Sequence, residues 1–208
     1  MTIFYIDTSS SFLYTAIYQN DQIINKKALN LSKDLSTFTV DEVNKMFQEV
    51  HLEPQDIDKI IVVNGPGSFT GIRIGVTLAK IFAFTLHKKI TTISSLEAMK
   101  ESIETDKIIV PIIDARRKCC YAAIYKNDEP IMKECYLSLE NLQATLDNLK
   151  TEYIFVSNDQ FSFKTEKYQP DFLRIIRKYQ DRKEINQHLV NPSYLKLTEA
   201  EENKIKEE

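Results

Sequence analysis

The sequence predicts an α/β protein built from two similar halves, each with the element order βββαβ. Three observations lead to this fold class. Short apolar runs separated by turn signals come in threes at the start of each half. A segment with apolar residues at helical spacing follows each triplet, and a nearly continuous apolar run, typical of a strand buried on both faces, follows that helix. The copies begin about 105 residues apart, and we predict subdomains at 1–103 and 104–208.

In the first half, the Asn20-Asp21 turn signal separates the second strand from the third, which reads QIINKKAL. Thr39 and Glu42 have the spacing of a capping box at the start of a helix. The predicted strands are 3–8, 11–19, 22–29, 57–64 and 89–93. Helices are predicted around Val40, Val43, Phe47 and Val50, from Thr70 to His87, and over SSLEAMKESI with Ser94 or Ser95 as its cap.

The second half repeats the pattern, with an amphipathic helix over LENLQATLDNLK. Its predicted strands are 107–114, 119–125, 130–138 and 153–157. Beyond Ser162 the segment DFLRIIRKY predicts a helix and NPSYLKL an extended exit. We expect the charged end, TEAEENKIKEE, to be solvated and frayed.

Composition excludes several classes of protein. The formal net charge of -3 in 208 residues gives no sign of a general nucleic-acid or anionic-membrane binder. The first residues lack a secretory signal and no apolar run approaches the length of a membrane span, so we expect a cytoplasmic protein. Cys119, Cys120 and Cys135 have neither disulfide nor metal-site spacing and are interpreted as reduced packing residues.

All four glycines of the chain lie in one stretch, NGPGSFTGIRIG, from Asn64 to Gly75. A glycine turn between a buried strand and a helix can bind phosphate, but the spacing fits neither the Walker loop nor the dinucleotide fingerprint. The first two glycines are explained by a turn, with Ser68 or Thr70 as the helix cap.

The other two glycines start a stripe of small residues. Gly71 and Gly75 lie inside the predicted helix, where each costs about 1 kcal/mol relative to alanine, and the stripe continues as Ala79 and Ala83. Such a stripe lets another element approach the backbone closely. Apolar residues surround nearly the whole helix, so a further surface must cover it. Internal packing and a subunit interface both stay open, with a phosphate site third.

Five stretches in order carry a family resemblance: IDTSS, GPGSFTGIRIGV, SSLEAM, IDARRKCCYAAIY and PSYLKLTEAE. The chain resembles the TsaB (YeaZ) family, which makes threonylcarbamoyladenosine in tRNA together with the catalytic subunit TsaD. The resemblance covers residues 1 to 130 well and the tail more faintly. It implies the actin-like/Hsp70/sugar-kinase (ASKHA) fold, with two RNase H-like halves.

The resemblance implies a non-catalytic scaffold. TsaD holds a metal with a histidine pair in H-L-E-G-H, and the similar place here reads Ser95-Leu-Glu-Ala-Met99. Serine and methionine cannot replace two imidazoles, so we expect no metal, no cofactor and no catalytic residue. We expect a TsaD-like catalytic subunit as partner, a TsaE-like ATPase docking through the complex, a homodimer when the partner is absent, tRNA contact mainly through the complex, and no membrane. The expected partner-binding residues are Val43, Phe47, Gly71, Ile72, Gly75, Val76, Ala79, Phe82 and Ala83.

A second hypothesis is an enzyme of the same superfamily, an ATPase or phosphotransferase. Asp7-Thr8-Ser9 and Asp114-Ala-Arg116-Arg117 follow the first strand of each half, where kinases of this superfamily bind ATP phosphates. Asp7 could hold magnesium and Arg116 or Arg117 a phosphate. We favour the simpler interpretation of turn caps and solvated arginines, which leaves at most a vestigial nucleotide site at Asp7, Thr8, Ser9, Asp114 and Arg116.

Overall fold

The computed structural model describes residues 1–196 and divides the chain into two compact units. Unit 1 comprises Met1–Ile103 together with Gln169–Pro192, and unit 2 comprises Glu104–Tyr168 together with the described residues from Ser193 to Lys196. The prediction that 104–208 forms one subdomain is therefore wrong for residues 169–192. The charged segment TEAEENKIKEE lies outside the described residues.

Unit 1 contains a five-stranded mixed sheet of order β3-β2-β1-β4-β5. The first three strands pair antiparallel, and β4 and β5 add in parallel on the other side of β1. The strands are β1 (Thr2–Asp7), β2 (Phe12–Gln19), β3 (Gln22–Asn30), β4 (Lys59–Val63) and β5 (Lys89–Ile93); the helices are α1 (Leu35–Glu49), α2 (Phe69–Thr85), α3 (Ser95–Lys100) and α5 (Phe172–Tyr179).

Both faces of this sheet are covered, which explains why β1 and β4 are buried along their whole length. On one face, α1 and α2 pack through a core in which the ring of Phe4 lies 5.5 Å from that of Phe47. Side chains alternate along a strand, so Tyr5 points to the other face and its ring lies 5.7 Å from Phe172 of α5.

Charged groups hold the returning segment 169–192 on unit 1. The buried Lys59 ammonium donates to the carbonyl oxygens of Gln180 (2.6 Å) and Arg182 (2.8 Å), just beyond the end of α5. The Arg182 guanidinium donates two hydrogen bonds to the Glu97 carboxylate, and Arg174 donates to the buried Glu101. Charged side chains are buried only when paired, so these contacts account for the return of the chain to unit 1.

Unit 2 repeats the topology of unit 1. Its sheet has the order β10-β9-β6-β7-β8, which matches β5-β4-β1-β2-β3 strand for strand. The strands are β6 (Ile108–Asp114), β7 (Cys119–Lys126), β8 (Glu129–Ser138), β9 (Tyr153–Ser157) and β10 (Glu166–Lys167), and the helix is α4 (Leu139–Leu149). The doubled βββαβ pattern and the α/β fold class are confirmed. The two-residue β10 is too short to have a sequence signal.

Two local predictions are wrong. Helix α1 begins at Leu35, so Thr39 is not a cap but lies inside the helix, where its hydroxyl donates to the Leu35 carbonyl. Val40 is exposed rather than part of the core. Among residues 1–196, no helix is long and apolar enough to cross a membrane.

Candidate functional site

The glycine segment joins the end of β4 to α2 and is held from two sides. Gly65 and Gly67 have φ angles of +114° and +150°, which only glycine adopts readily. The Gly65 carbonyl accepts from the Ser95 amide at 3.0 Å, and the Ser68 amide donates to the Ser9 carbonyl at 2.7 Å. Ser68 is the N-cap of α2, since its hydroxyl oxygen accepts from the Gly71 amide.

Only glycine fits at these positions, because the β1–β2 turn lies directly against the backbone there. A Cβ atom at Gly67 would overlap the Ser9 carbonyl oxygen, and one at Gly71 would overlap the Thr8 carbonyl oxygen. At Gly75 the obstacle is the Thr8 hydroxyl, which donates to the Gly71 carbonyl at 2.7 Å. Three glycines thus bring α2 onto Thr8 and Ser9 of the same chain, which decides for internal packing of the stripe.

The turn that α2 covers is itself buried. Thr8 has no exposed surface, and Asp7 and Ser9 are exposed by only 2% and 6%. One Asp7 carboxylate oxygen accepts from the Ser9 amide at 2.8 Å. Burial raises the pKa of the Asp7 carboxyl to about 6, although the Ser9 hydrogen bonds oppose the shift. Asp7 therefore acts as a turn cap in the described structure, as the simpler interpretation predicts.

The residues of the hypothetical nucleotide site fall into different units. Asp7, Thr8 and Ser9 belong to unit 1, whereas Asp114 and Arg116 belong to unit 2. In unit 2, Asp114 is exposed and its carboxylate accepts from the Arg116 amide at 2.9 Å. This is the turn cap expected for the second half. A nucleotide site at these residues is not tested and stays a prediction.

Eight of the nine residues predicted to touch a partner are buried in unit 1. Gly71, Ile72, Gly75, Val76, Ala79, Ala83, Val43 and Phe47 all lie in its interior. The ninth, Phe82, is partly buried with its ring 5.9 Å from Phe4. The prediction of direct contact with a partner is corrected for these eight residues, because they pack inside unit 1 against the sheet and the β1–β2 turn.

The opposite side of α2 is exposed and apolar. Phe69, Ile81 and Phe84 are exposed by 56%, 50% and 55%. The described residues therefore leave this side of the helix uncovered, and its cover by a further surface stays a prediction. A groove of about 460 Å³ runs between this side and Val40 of α1. The Arg73 guanidinium carbon lies 3.7 Å from the Phe69 ring centroid. We call Val40, Phe69, Arg73, Ile74, Ile81 and Phe84 the outer face.

The residues at the place of the TsaD histidine pair are both buried. Ser95 is exposed by 2% and Met99 by 4%, and the Ser95 hydroxyl donates to the Pro66 carbonyl. One offers a neutral hydroxyl already used in a hydrogen bond and the other a soft thioether, so this pair does not fit a hard catalytic cation. The serine instead fixes α3 to the glycine segment.

Comparison with known proteins decides the family. The model of the family described as "TsaD: tRNA N6-adenosine threonylcarbamoyltransferase" matches residues 30–185. The chain belongs to this family. Several of its similar curated relatives are TsaB proteins, and the resemblance to TsaB expected from the motifs is confirmed.

The relatives match only part of the chain or differ widely in sequence. The tRNA threonylcarbamoyladenosine biosynthesis protein TsaB of Bacillus subtilis is 38% identical over 135 residues, which is 64% of this chain and 59% of that protein. The TsaB of Escherichia coli is 27% identical over 164 residues, which is 75% of this chain and 71% of that protein.

Solved structures confirm the fold. YeaZ from Pseudomonas aeruginosa superposes with a TM-score of 0.78 at 19% identity, covering 93% of this chain and 99% of that one.

Sequence reasoning identified the correct helices but not the exposed side of α2. Nothing in the spacing of the apolar residues distinguished the inner side from the outer, because both are apolar. One signal was available: Arg73 and Thr77 are four residues apart, and both are exposed. Residues four apart share a helix face, so this pair marked the solvent side.

Proposed function

We propose that this protein is a non-catalytic accessory subunit in the synthesis of threonylcarbamoyladenosine in tRNA. It binds a TsaD-like catalytic subunit through the outer face, supports docking of a TsaE-like ATPase on the resulting complex, and reaches tRNA mainly through that complex. Membership of the TsaD family and similarity to TsaB support the pathway. The Ser95 and Met99 pair supports an accessory rather than a catalytic role.

The observation that carries the proposal is the outer face itself. Phe69, Ile81 and Phe84 present three large apolar side chains on a single helix, next to the groove shared with α1. Contiguous apolar surface of this kind marks interaction sites on soluble proteins. Arg73, stacked on Phe69, adds a residue type enriched in protein interfaces.

The same surface accounts for self-association when the catalytic partner is absent. An isologous dimer uses one patch on both chains, so two copies of the outer face would cover each other. Because both assemblies would use this surface, the homodimer and the heterodimer exclude one another. Adding a TsaD-like subunit is then expected to convert homodimer into heterodimer.

The test is co-purification with the TsaD-like subunit of the same organism, followed by threonylcarbamoyl transfer to tRNA with and without this chain. Ile81→Glu places a carboxylate in the centre of the outer face, where it needs no rearrangement of the monomer because Ile81 is half exposed. Ile131→Glu is the matched control, since Ile131 is 45% exposed but lies on β8 of unit 2.

We expect Ile81→Glu to abolish co-purification and stimulation of transfer, with an unfolding midpoint like that of the starting protein, while Ile131→Glu retains both. Equal association of the two variants would refute the outer face as the binding surface. Transfer activity of the isolated chain would refute the non-catalytic role.

A further inference from the structure

The β6–β7 hairpin of unit 2 ends in a turn of three consecutive cations. Arg116, Arg117 and Lys118 have φ angles of +65°, +52° and +60°, and all three are exposed. This backbone region is unfavourable for residues with a Cβ atom, and asparagine or glycine is the usual occupant. Three long cationic side chains stand here instead, which suggests that their charge has a use.

The cationic side chains of this turn have no ion-pair partner among the described residues. Within residues 1–196 no carboxylate pairs with Arg116, Arg117 or Lys118, and no side-chain hydrogen bond uses them. The adjacent acids are bound to backbone instead: Asp114 accepts from the Arg116 amide, and Asp159 accepts from the Asp114 amide at 2.8 Å. The turn therefore presents two open guanidinium groups, the geometry that binds phosphate in a bidentate manner.

By contrast, the arginines of the returning segment are all paired. Arg174 binds Glu101, Arg177 binds Asp21, and Arg182 binds Glu97, each through nitrogen–oxygen distances of 3.0 Å or less. The chain thus provides carboxylates for arginines that hold its fold together. It provides none, within the described residues, for the two at the strained turn.

Two aromatic rings lie near this turn, one on β7 of the same hairpin and one on the neighbouring strand β8. Tyr121 pairs across the strands with Tyr136, and their ring centroids are 5.7 Å apart. Both rings are partly exposed, and the Lys196 ammonium lies 5.4 Å from the Tyr136 centroid. Tyr121 is three residues beyond Lys118, which is about 10 Å along a strand.

We infer that this surface, consisting of Arg116, Arg117, Lys118, Tyr121, Tyr136 and Lys196, binds a single-stranded segment of RNA. The open cations take the phosphates, and the tyrosines supply faces on which unpaired bases stack. An acidic peptide would use the cations but not the rings. The inference rests on the proposed function for the relevance of tRNA, and it adds a direct contact by this chain.

The experiment titrates the full chain, without a partner, into a fluorescein-labelled single-stranded RNA of about 12 nucleotides, followed by anisotropy over a range of salt concentrations. Arg116→Asn with Arg117→Asn removes two charges and keeps the turn, because asparagine tolerates this backbone region. Lys126→Asn with Lys133→Asn is the matched control. It removes two exposed charges, one of them at the other end of β7.

We expect the arginine variant to weaken RNA binding about tenfold at low salt. It should reduce the slope of log affinity against log salt by about 1.4, which is about 0.7 for each lost phosphate contact. Tyr121→Leu should weaken binding about five- to tenfold at an unchanged salt slope, since it removes stacking and no charge. The control variant should remain within about twofold of the starting protein.

The inference would be overturned by the absence of RNA binding at low salt or by equal losses in the arginine and control variants. A neutral Tyr121→Leu would also overturn it, since the turn would then be a site for any polyanion. Displacement of the RNA by stoichiometric ATP would also overturn it, in favour of a mononucleotide. None of these measurements involves the catalytic partner, so RNA binding can fail while co-purification through the outer face succeeds.

Discussion

A double-mutant cycle can measure how the effect of Gly75→Ala on stability depends on the Thr8 side chain. In an ordinary helix interior, glycine to alanine stabilises by about 1 kcal/mol. At Gly75 the added Cβ atom would overlap the Thr8 hydroxyl, whereas the Thr8 Cβ atom would lie at a comfortable 3.6 Å. The obstacle is thus the hydroxyl oxygen alone, and Thr8→Ala removes it.

The structure sets the size of the effect. With Thr8 present, Gly75→Ala must displace the hydroxyl and break its 2.7 Å hydrogen bond to the Gly71 carbonyl, a loss of about 1–2 kcal/mol. Overpacking adds about 1–3 kcal/mol, partly offset by the gain in helix propensity. We expect Gly75→Ala to destabilise by about 1–4 kcal/mol in the starting protein and to stabilise by about 1 kcal/mol in Thr8→Ala.

Urea unfolding of the four proteins of the cycle, followed by circular dichroism, measures both values. Gly71→Ala is the comparison, because its obstacle is the Thr8 carbonyl oxygen, which Thr8→Ala retains. It should be destabilising in both backgrounds. The reasoning is refuted if Gly75→Ala changes the free energy of unfolding equally in both backgrounds, within about 0.5 kcal/mol.

Three further predictions concern stability. Burial raises the pKa of Asp7 from 3.8 to about 6, so the folded state loses about 3 kcal/mol of stability as the pH rises through this window. Asp7→Asn should flatten the pH dependence of the urea midpoint between pH 4 and 8. It should also leave the protein more stable than the starting protein above pH 6. His87 follows α2 with a φ of +53°. We expect His87→Gly to raise the free energy of unfolding by about 0.5–1 kcal/mol and His87→Ala to leave it unchanged, as measured by thermal unfolding. Lys59→Met leaves two carbonyl groups without their donor and should cost about 2–4 kcal/mol, with Lys89→Met, an exposed lysine, as the control in the same assay.

Much of the fold could be predicted because its signals are local. The run IDKIIVVN is apolar on both sides of its strand, and β4 is indeed buried at every position. Ser94 and Glu97 have the spacing of a capping box, and both of its hydrogen bonds form. Such patterns need only neighbouring residues, so a single sequence carries them.

The assignments that failed depend on contacts between distant residues. No spacing rule shows that Lys59 binds carbonyl groups more than 120 positions away, which is what draws 169–192 into unit 1. Nor does the stripe at Gly71 and Gly75 reveal that its neighbour is Thr8, because a close approach within the chain and one between chains require the same small residues.

The scarcity of glycine in this chain also made its helix ends harder to predict. His51 and His87 each end a helix with positive φ, a position where glycine is the usual signal. Here the only glycines with positive φ are Gly65 and Gly67, so glycine does not mark these two helix ends.

The return of residues 169–192 has a consequence for dissection of the protein. The chain passes from unit 1 to unit 2 after Ile103, comes back before Gln169 and leaves again after Pro192. A protease that cuts between 103 and 104 would therefore separate two fragments that still share a folded unit, joined by the Tyr5–Phe172 contact and the Lys59 hydrogen bonds. The two fragments should co-elute after nicking, and a truncation at 103 should be insoluble until the remainder is supplied in trans.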